Sequence, residues 1–300
     1  MTTETRQKAG AVTRKIFPVT LWIMVAVWVV LLLALLAWAF ITSVKSAFDY
    51  YDNPLGLPRK AYGGWQWVNY KTAFEAISVE RAGVRYGIFR LLANSMLFAV
   101  GGGAISVITA CLASYILAKY SYLKWVRGLW IVVLLTNYMP ISSSLAANIK
   151  FMVDLNLYDS MVGMWFWQSG GFGYIFLIYY ATWKSVSWEY AEAAFIDGAS
   201  HLRVMLQVMW PMTVTIFGVL ILNQFIALWN DYMTPIIYMP SWPNVSYGAW
   251  LFQFNVENPL VAVPPIQLAG MLILASPVFI LFMIFRNKMM GSMTLGGLKG

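Results

Sequence analysis

"EYAEAAFIDGASHLRVMLQVMWP" (residues 189–211) reads as soluble sequence inside a chain that otherwise reads as lipid-like. It places Glu189, Glu192, Asp197, His201 and Arg203 in a 300-residue chain that is 60% hydrophobic and only 11% charged. That charged share is about half of what a soluble domain carries. Aromatics make up 17%, with 15 Trp and 17 Tyr, types that collect at membrane–water interfaces. The fold class is therefore an all-α integral membrane protein, and the opening stretch is a loop between spans.

Six segments are long enough to cross a hydrocarbon core of about 30 Å at 1.5 Å per residue. They run over residues 17–42, 91–119, 125–150, 161–183, 212–236 and 265–286. With the N-terminus inside, twelve Lys/Arg fall on the inner side and eight on the outer. Seven of those eight lie in the long 43–90 segment, which translocates largely regardless of charge. Both termini are thus expected in the cytoplasm. The parts are a cytoplasmic N-terminus at 1–16 and a transmembrane domain at 17–300. The domain has an external segment at 43–90, a cytoplasmic loop at 184–211 and a tail at 287–300. The first apolar run is too long for a signal-peptide core, so it is a retained helix.

One cysteine, Cys111, excludes an internal disulfide, and one histidine, His201, argues against a Cys/His metal site. The net charge of +8 is scattered around apolar spans, which suits membrane orientation better than nucleic acid. No P-loop is present, because Gly101-Gly102-Gly103 sits in an apolar span without a lysine. The chain is not expected to be an enzyme or to bind a cofactor. An intramembrane hydrolase would need a paired nucleophile and base. Ser200 and His201 are adjacent in one loop and poorly placed for it. A secondary transporter is weakened by the few ionisable groups in the spans.

Within the loop, Ser187 is the expected N-cap, with Glu189 in the first turn where a carboxylate suits the dipole. Trp188, Ala191, Phe195, Leu202 and Leu206 recur at near-helical spacing as an apolar side, interrupted by Gly198, which permits a turn. Asp197 or Ser200 caps a second short helix, and Pro211 opens the fifth span. Two uses remain open: an amphipathic helix lying in the headgroups, or a surface for docking another protein. Acids outnumber Lys/Arg, which favours docking.

Glu192-Ala193-Ala194, then Gly198, then Val208-Met209-Trp210-Pro211 resemble the EAA loop of bacterial ABC-importer permeases, and "EAAFIDGAS" is similar to the carbohydrate branch. "LANSMLFAV", "LNLYDSMVG", "LWNDYMTP" and the terminal "GSMTLGGLKG" resemble the maltose-importer G-type permease. The resemblance implies a type I importer fold. Glu192, Ala193, Ala194, Asp197, Gly198 and Pro211 would couple to a cytoplasmic ATPase dimer. Gly297, Leu298, Lys299 and Gly300 would reach that dimer's interface. ATP and Mg would be used by the ATPase alone. A longer F-type permease would complete a heterodimer, and an external binding protein would deliver a sugar.

Polar groups deep in the spans mark where substrate could pass. Asn223, Ala227, Asn230 and Thr234 are expected on one face of span five, with Gln224 and Asp231 beside it. Asn137 and Tyr138 belong to a second polar patch, "TNYMPISSS". Either a pathway lining or hydrogen bonding between permease subunits explains them. Gly102, Ser106, Ala110 and Ser114 form a small-residue stripe, open to use within the chain or at a subunit interface. Pro140 and Pro277 are expected to kink or unwind their helices.

Overall fold

The computed structural model describes residues 3–139, 145–254 and 261–293, and side chains between 18 and 284 within these. Pro140, most of the second polar patch and the tail residues Gly297 to Gly300 lie outside them. The elements in order are α1 (Thr3–Ser43), α2 (Ala47–Asp52), α3 (Val68–Ala76), β1 (Ser78–Arg81) and β2 (Val84–Gly87). Next come α4 (Ile88–Lys119), α5 (Lys124–Tyr138), α6 (Leu145–Asp154), α7 (Met161–Gln168), α8 (Tyr174–Ser185) and α9 (Glu189–Ile196). The series closes with α10 (His201–Asn230), α11 (Met233–Tyr238), α12 (Val245–Phe254) and α13 (Pro264–Met293).

Among the described residues four helices are long and apolar enough to cross a membrane: Pro18–Ser43, Ile88–Lys119, His201–Asn230 and Pro264–Ile284. These four correspond to the expected first, second, fifth and sixth spans, and the other two are each made of shorter helices. The expected third span contains α5 and α6, and the fourth is divided into α7 and α8 by Ser169–Gly173. Three glycines in that interval (Gly170, Gly171, Gly173) weaken a helix there. α13 continues as one helix through Pro277.

The chain forms two compact units, one of residues 1–76 with 255–273, the other of 77–254 with 274–300. In the first unit α1 is apolar on all sides from Pro18 onward, the pattern of a span rather than of a surface helix. Beyond it the chain turns over a polar core. Lys45 is fully buried and donates to the Asn53 carbonyl at 2.6 Å. Asn69 donates to the carbonyls of Ser43 and Lys45, both at 2.8 Å. Burial alone would raise the Asp49 carboxyl, but Arg59, whose Nε lies 2.8 Å away, holds it below the usual carboxylate range. Burial pushes the Lys45 ammonium down, and the Asp49 charge opposes that shift.

In the second unit α4 is the central element, packed along α8 and α10. Its small residues make this close approach possible: Gly102, Ala110 and Ser114 are buried and Ser106 half-buried. A Cβ on Gly102 would lie 3.1 Å from Leu228 Cδ1 of α10. The stripe is therefore used within the chain. Val107, Cys111, Tyr115, Phe176, Tyr179 and Trp183 form the core around it. The Cys111 carbonyl accepts from Ser114 Oγ and from Trp183 Nε1. The helix takes one π-helical turn at Leu97–Gly101, and Trp165 Nε1 donates to the Leu97 carbonyl there at 3.1 Å.

The sequence motifs near one end of this unit form a set of latches. Asn94 Nδ2 donates to the Pro243 carbonyl, and Ser95 Oγ accepts from Val245 N–H, both at 2.8 Å. Asp159 accepts from the backbone N–H and the hydroxyl of Ser241. Asp231 Oδ1 accepts from Thr234 N–H and so closes the first turn of α11 from one residue before Tyr232 in the N-cap position. These buried or half-buried polar groups pin irregular segments that would otherwise leave backbone groups unpaired in an apolar setting.

Candidate functional site

α9 begins at Glu189, with Trp188 rather than Ser187 in the N-cap position. Ser187 Oγ still accepts from Glu189 N–H at 3.3 Å, so the hydroxyl acts one residue outside the expected place. At the other end Gly198 has φ +80°. Its N–H donates to the Phe195 carbonyl and the Ala199 N–H donates to the Ala194 carbonyl, both at 3.0 Å. This is the paired bonding that closes a helix through a left-handed residue, the role glycine fills without strain. Ser200 then caps the following helix by accepting from Arg203 N–H, resolving the choice between Asp197 and Ser200.

The second short helix does not end before span five. His201 to Asn230 is one helical run, passing through a π turn at Val204–Met209 and a 3₁₀ turn at Trp210–Thr213. Pro211 lies inside that run, and its missing N–H matches the change of hydrogen-bonding pattern. The loop is thus mechanically continuous with α10.

One side of the loop is clamped to the core. Ala191, Val204 and Met209 are fully buried, and Trp188, Ala194, Phe195 and Ala199 pack against them. Tyr120 hydroxyl and His201 Nδ1 lie 2.7 Å apart, and the His201 ring sits 4.7 Å from that of Phe195. His201 is held as a packing residue. Leu202 and Leu206, expected on the apolar side, are exposed, because the turn at Gly198 resets the helical phase. The uncovered side carries Glu189, Glu192, Ala193 and Asp197, with Ile196 86% exposed beside them. Ile196 is absent from the sequence expectation, since an isoleucine in an apolar-spaced loop reads as core.

The deep polar residues come together in a different way from the expected face. α10 ends at Asn230, and Asp231 leaves the helix with ψ 109°. Thr234 belongs to α11, so the face does not continue to it. Asp231 is engaged with the first turn of α11, and Asn230 Nδ2 donates back to its own helix at Ile226. Tyr138 is 84% exposed. Asn137, Asn223 and Gln224, in contrast, are linked through the interruption between α7 and α8. Asn137 Nδ2 donates to the Phe172 carbonyl at 2.8 Å. Tyr174 hydroxyl donates to Asn223 Oδ1 at 2.5 Å and lies 3.5 Å from Gln224 Oε1. Asn137 is 13 residues along α5 and Asn223 12 residues past Pro211, so each is about 18–20 Å from the loop end. Tyr174 escapes a reading of the sequence because its partners are about fifty residues away, though the glycine-rich interruption is a signal. A separate cavity of about 610 Å³ between α4 and α10, lined by Ala99, Gly103, Phe217, Leu222 and Phe225 among others, is apolar and unsuited to a hydroxyl-rich ligand.

Comparison with known proteins adds four findings. The family described as "Binding-protein-dependent transport system inner membrane component" matches residues 110–289. The diacetylchitobiose uptake system permease protein NgcG of Streptomyces coelicolor is 20% identical, over 90% of this chain and 85% of its own. The maltodextrin transport system permease protein MdxG of Bacillus subtilis is 26% identical, over 69% and 74% respectively. Among solved structures, a bacterial ABC transporter involved in the import of the acidic polysaccharide alginate aligns with a TM-score of 0.73 and 18% identity. It covers 91% of this chain and 96% of that one, and carries the fold.

Proposed function

The chain belongs to the binding-protein-dependent transport system inner membrane components, and from that membership we propose the G-type permease of a carbohydrate importer. It is a membrane-spanning permease subunit of an ABC importer, working with a second permease, an ATPase and a binding protein, and ATP hydrolysis belongs to the separate ATPase. In this reading the second permease is of the longer F type. The shorter helices complete the third and fourth of six crossings, and both termini face the cytoplasm. The names of NgcG and MdxG support a saccharide. No cofactor is bound by this chain, and ATP and Mg are used by the ATPase.

The observation that carries the coupling role is the outward surface of α9. Glu192 offers a carboxylate to a basic partner group, Ala193 lets a partner approach closely, and Ile196 offers an apolar knob. A helix meant for headgroups would turn Lys/Arg outward, whereas this surface turns out Glu189, Glu192 and Asp197. Because the loop runs into α10, movement of a docked ATPase would be carried to Asn223 and Gln224. Ala194 and Pro211 shape the loop, and Gly297 to Gly300 reach the ATPase dimer interface.

Purification of the chain with its gene neighbours and reconstitution in proteoliposomes tests this. The expected result is a complex with a second, different permease that imports an oligosaccharide only with ATP and the binding protein. Import by this chain alone, or import without ATP, would contradict it.

A further inference from the structure

Asn223 has one acceptor oxygen and two amide hydrogens, and Tyr174 decides which of them is left to a ligand. The Tyr174 hydroxyl has its short contact with Asn223 Oδ1, at 2.5 Å, and a longer one with Gln224 Oε1, at 3.5 Å, so its one hydrogen is best used on Asn223. Asn223 is exposed, and among the described residues its Nδ2 has no partner. Its free groups are donors. Asn137 is fixed the other way round: Nδ2 donates to the carbonyls of Val133 and Phe172, which leaves Oδ1 as an acceptor. The row of Asn137, Phe172 carbonyl, Tyr174, Asn223 and Gln224 contains no charged group.

We infer that Tyr174 is a positioning residue that presents Asn223 as a hydrogen-bond donor to the ligand, and that this subunit's half of the pathway grips the hydroxyls of an uncharged sugar unit. A sugar hydroxyl both donates and accepts, so it suits a donor at Asn223 and an acceptor at Asn137. A carboxylate only accepts. It would meet the Asn137 oxygen unfavourably and would lack a counter-charge in this row, where a buried charge is costly. The unwound Phe172 segment fits the same role, since irregular backbone at membrane depth is tolerated where it lines a cavity. The inference rests on the saccharide reading above.

The test is uptake by the complete importer in proteoliposomes, with labelled maltotriose, diacetylchitobiose and an alginate trisaccharide as probes. Tyr174→Phe should lower uptake of the neutral probes about fivefold to tenfold, the scale of one lost hydrogen bond. Asn223→Ala should lower it further, and the double variant should be no worse than Asn223→Ala alone, because one residue acts through the other. Asn223→Asp keeps an acceptor for Tyr174 but removes the donors, and should be as damaging as Asn223→Ala. A tolerated Asn223→Asp would leave the acceptor oxygen as the only group of Asn223 that matters. Additive losses, a tolerated Asn223→Asp, or a wild type that prefers the alginate probe would overturn the inference alone. A wild-type complex that moves none of the three would overturn the saccharide reading and this inference with it.

Discussion

Gly198→Leu is expected to abolish both uptake and substrate-stimulated ATP hydrolysis while the protein still inserts and packs its core. Two effects combine. At φ +80° a residue with a Cβ costs about 1–2 kcal/mol in the left-handed region, enough to open the turn between α9 and α10. Among the described residues nothing other than its own chain neighbours lies within 4 Å of the position a Cβ would take, so the leucine would project into open space. If α9 seats in the ATPase, that space is where the ATPase sits. Gly198→Asn separates the two contributions. Asparagine tolerates the left-handed conformation and is short, so it should retain a substantial part of activity. ATPase assays on reconstituted complexes decide the matter: wild-type stimulation in Gly198→Leu would remove the coupling role from this turn.

Gly163→Val should prevent stable assembly altogether, the largest structural effect expected from a single substitution in the second unit. An added Cβ would lie 2.1 Å from the Leu157 carbonyl oxygen and 2.9 Å from its Cα, which are backbone atoms and not a flexible side chain. That backbone has little freedom to move. Leu157 and Tyr158 N–H both donate to the Met152 carbonyl, and Asn156 and Asp159 already sit at φ 55° and 54°. Asp159 is further tied to Ser241 and to the Tyr238 carbonyl. Overpacking in a core typically costs about 1–3 kcal/mol, and a clash with pinned backbone belongs above that range. Gly128→Ala is the control, because among the described residues nothing beyond its own helix backbone and chain neighbours lies within 4 Å of its Cβ position on α5. Size-exclusion profiles and thermal melts in detergent should show Gly163→Val aggregated or absent and Gly128→Ala unchanged. A well-folded Gly163→Val would mean the α6–α7 turn is freer than its hydrogen bonds imply.

Composition and apolar runs are sufficient to read an all-helical membrane protein, because a span announces itself by continuous hydrophobicity. Gly198 is legible for a local reason, since its backbone demand is settled by its immediate neighbours. The same local reasoning fails at Leu202 and Leu206, where one left-handed residue changes the phase of everything after it. It fails again at Asp231 and Thr234, where a face extrapolated past Asn230 meets an aspartate bonded to the first turn of a new helix. The pairing of Asn137 with Phe172 and of Tyr174 with Asn223 depends on how α5, α8 and α10 pack. No spacing within one helix reports that. Asn94, Ser95 and Asp159 stand in recognisable motifs that by themselves assign them no role. Their partners lie about 80 to 150 residues away, so only the folded chain shows them as latches.

The central claim is that the outward surface of α9 seats in the ATPase, and a single cysteine at Ile196 tests it most directly. Cys111 is buried in the core and is replaced first, so that the new thiol is the only one. In the complete complex, Ile196→Cys should form a cross-link with an ATPase cysteine through a short thiol-reactive linker. The yield should change when ATP and Mg are added. A cysteine there that reacts only with lipid-soluble reagents, and yields no ATPase adduct with or without nucleotide, would place the loop in the headgroups and contradict the claim.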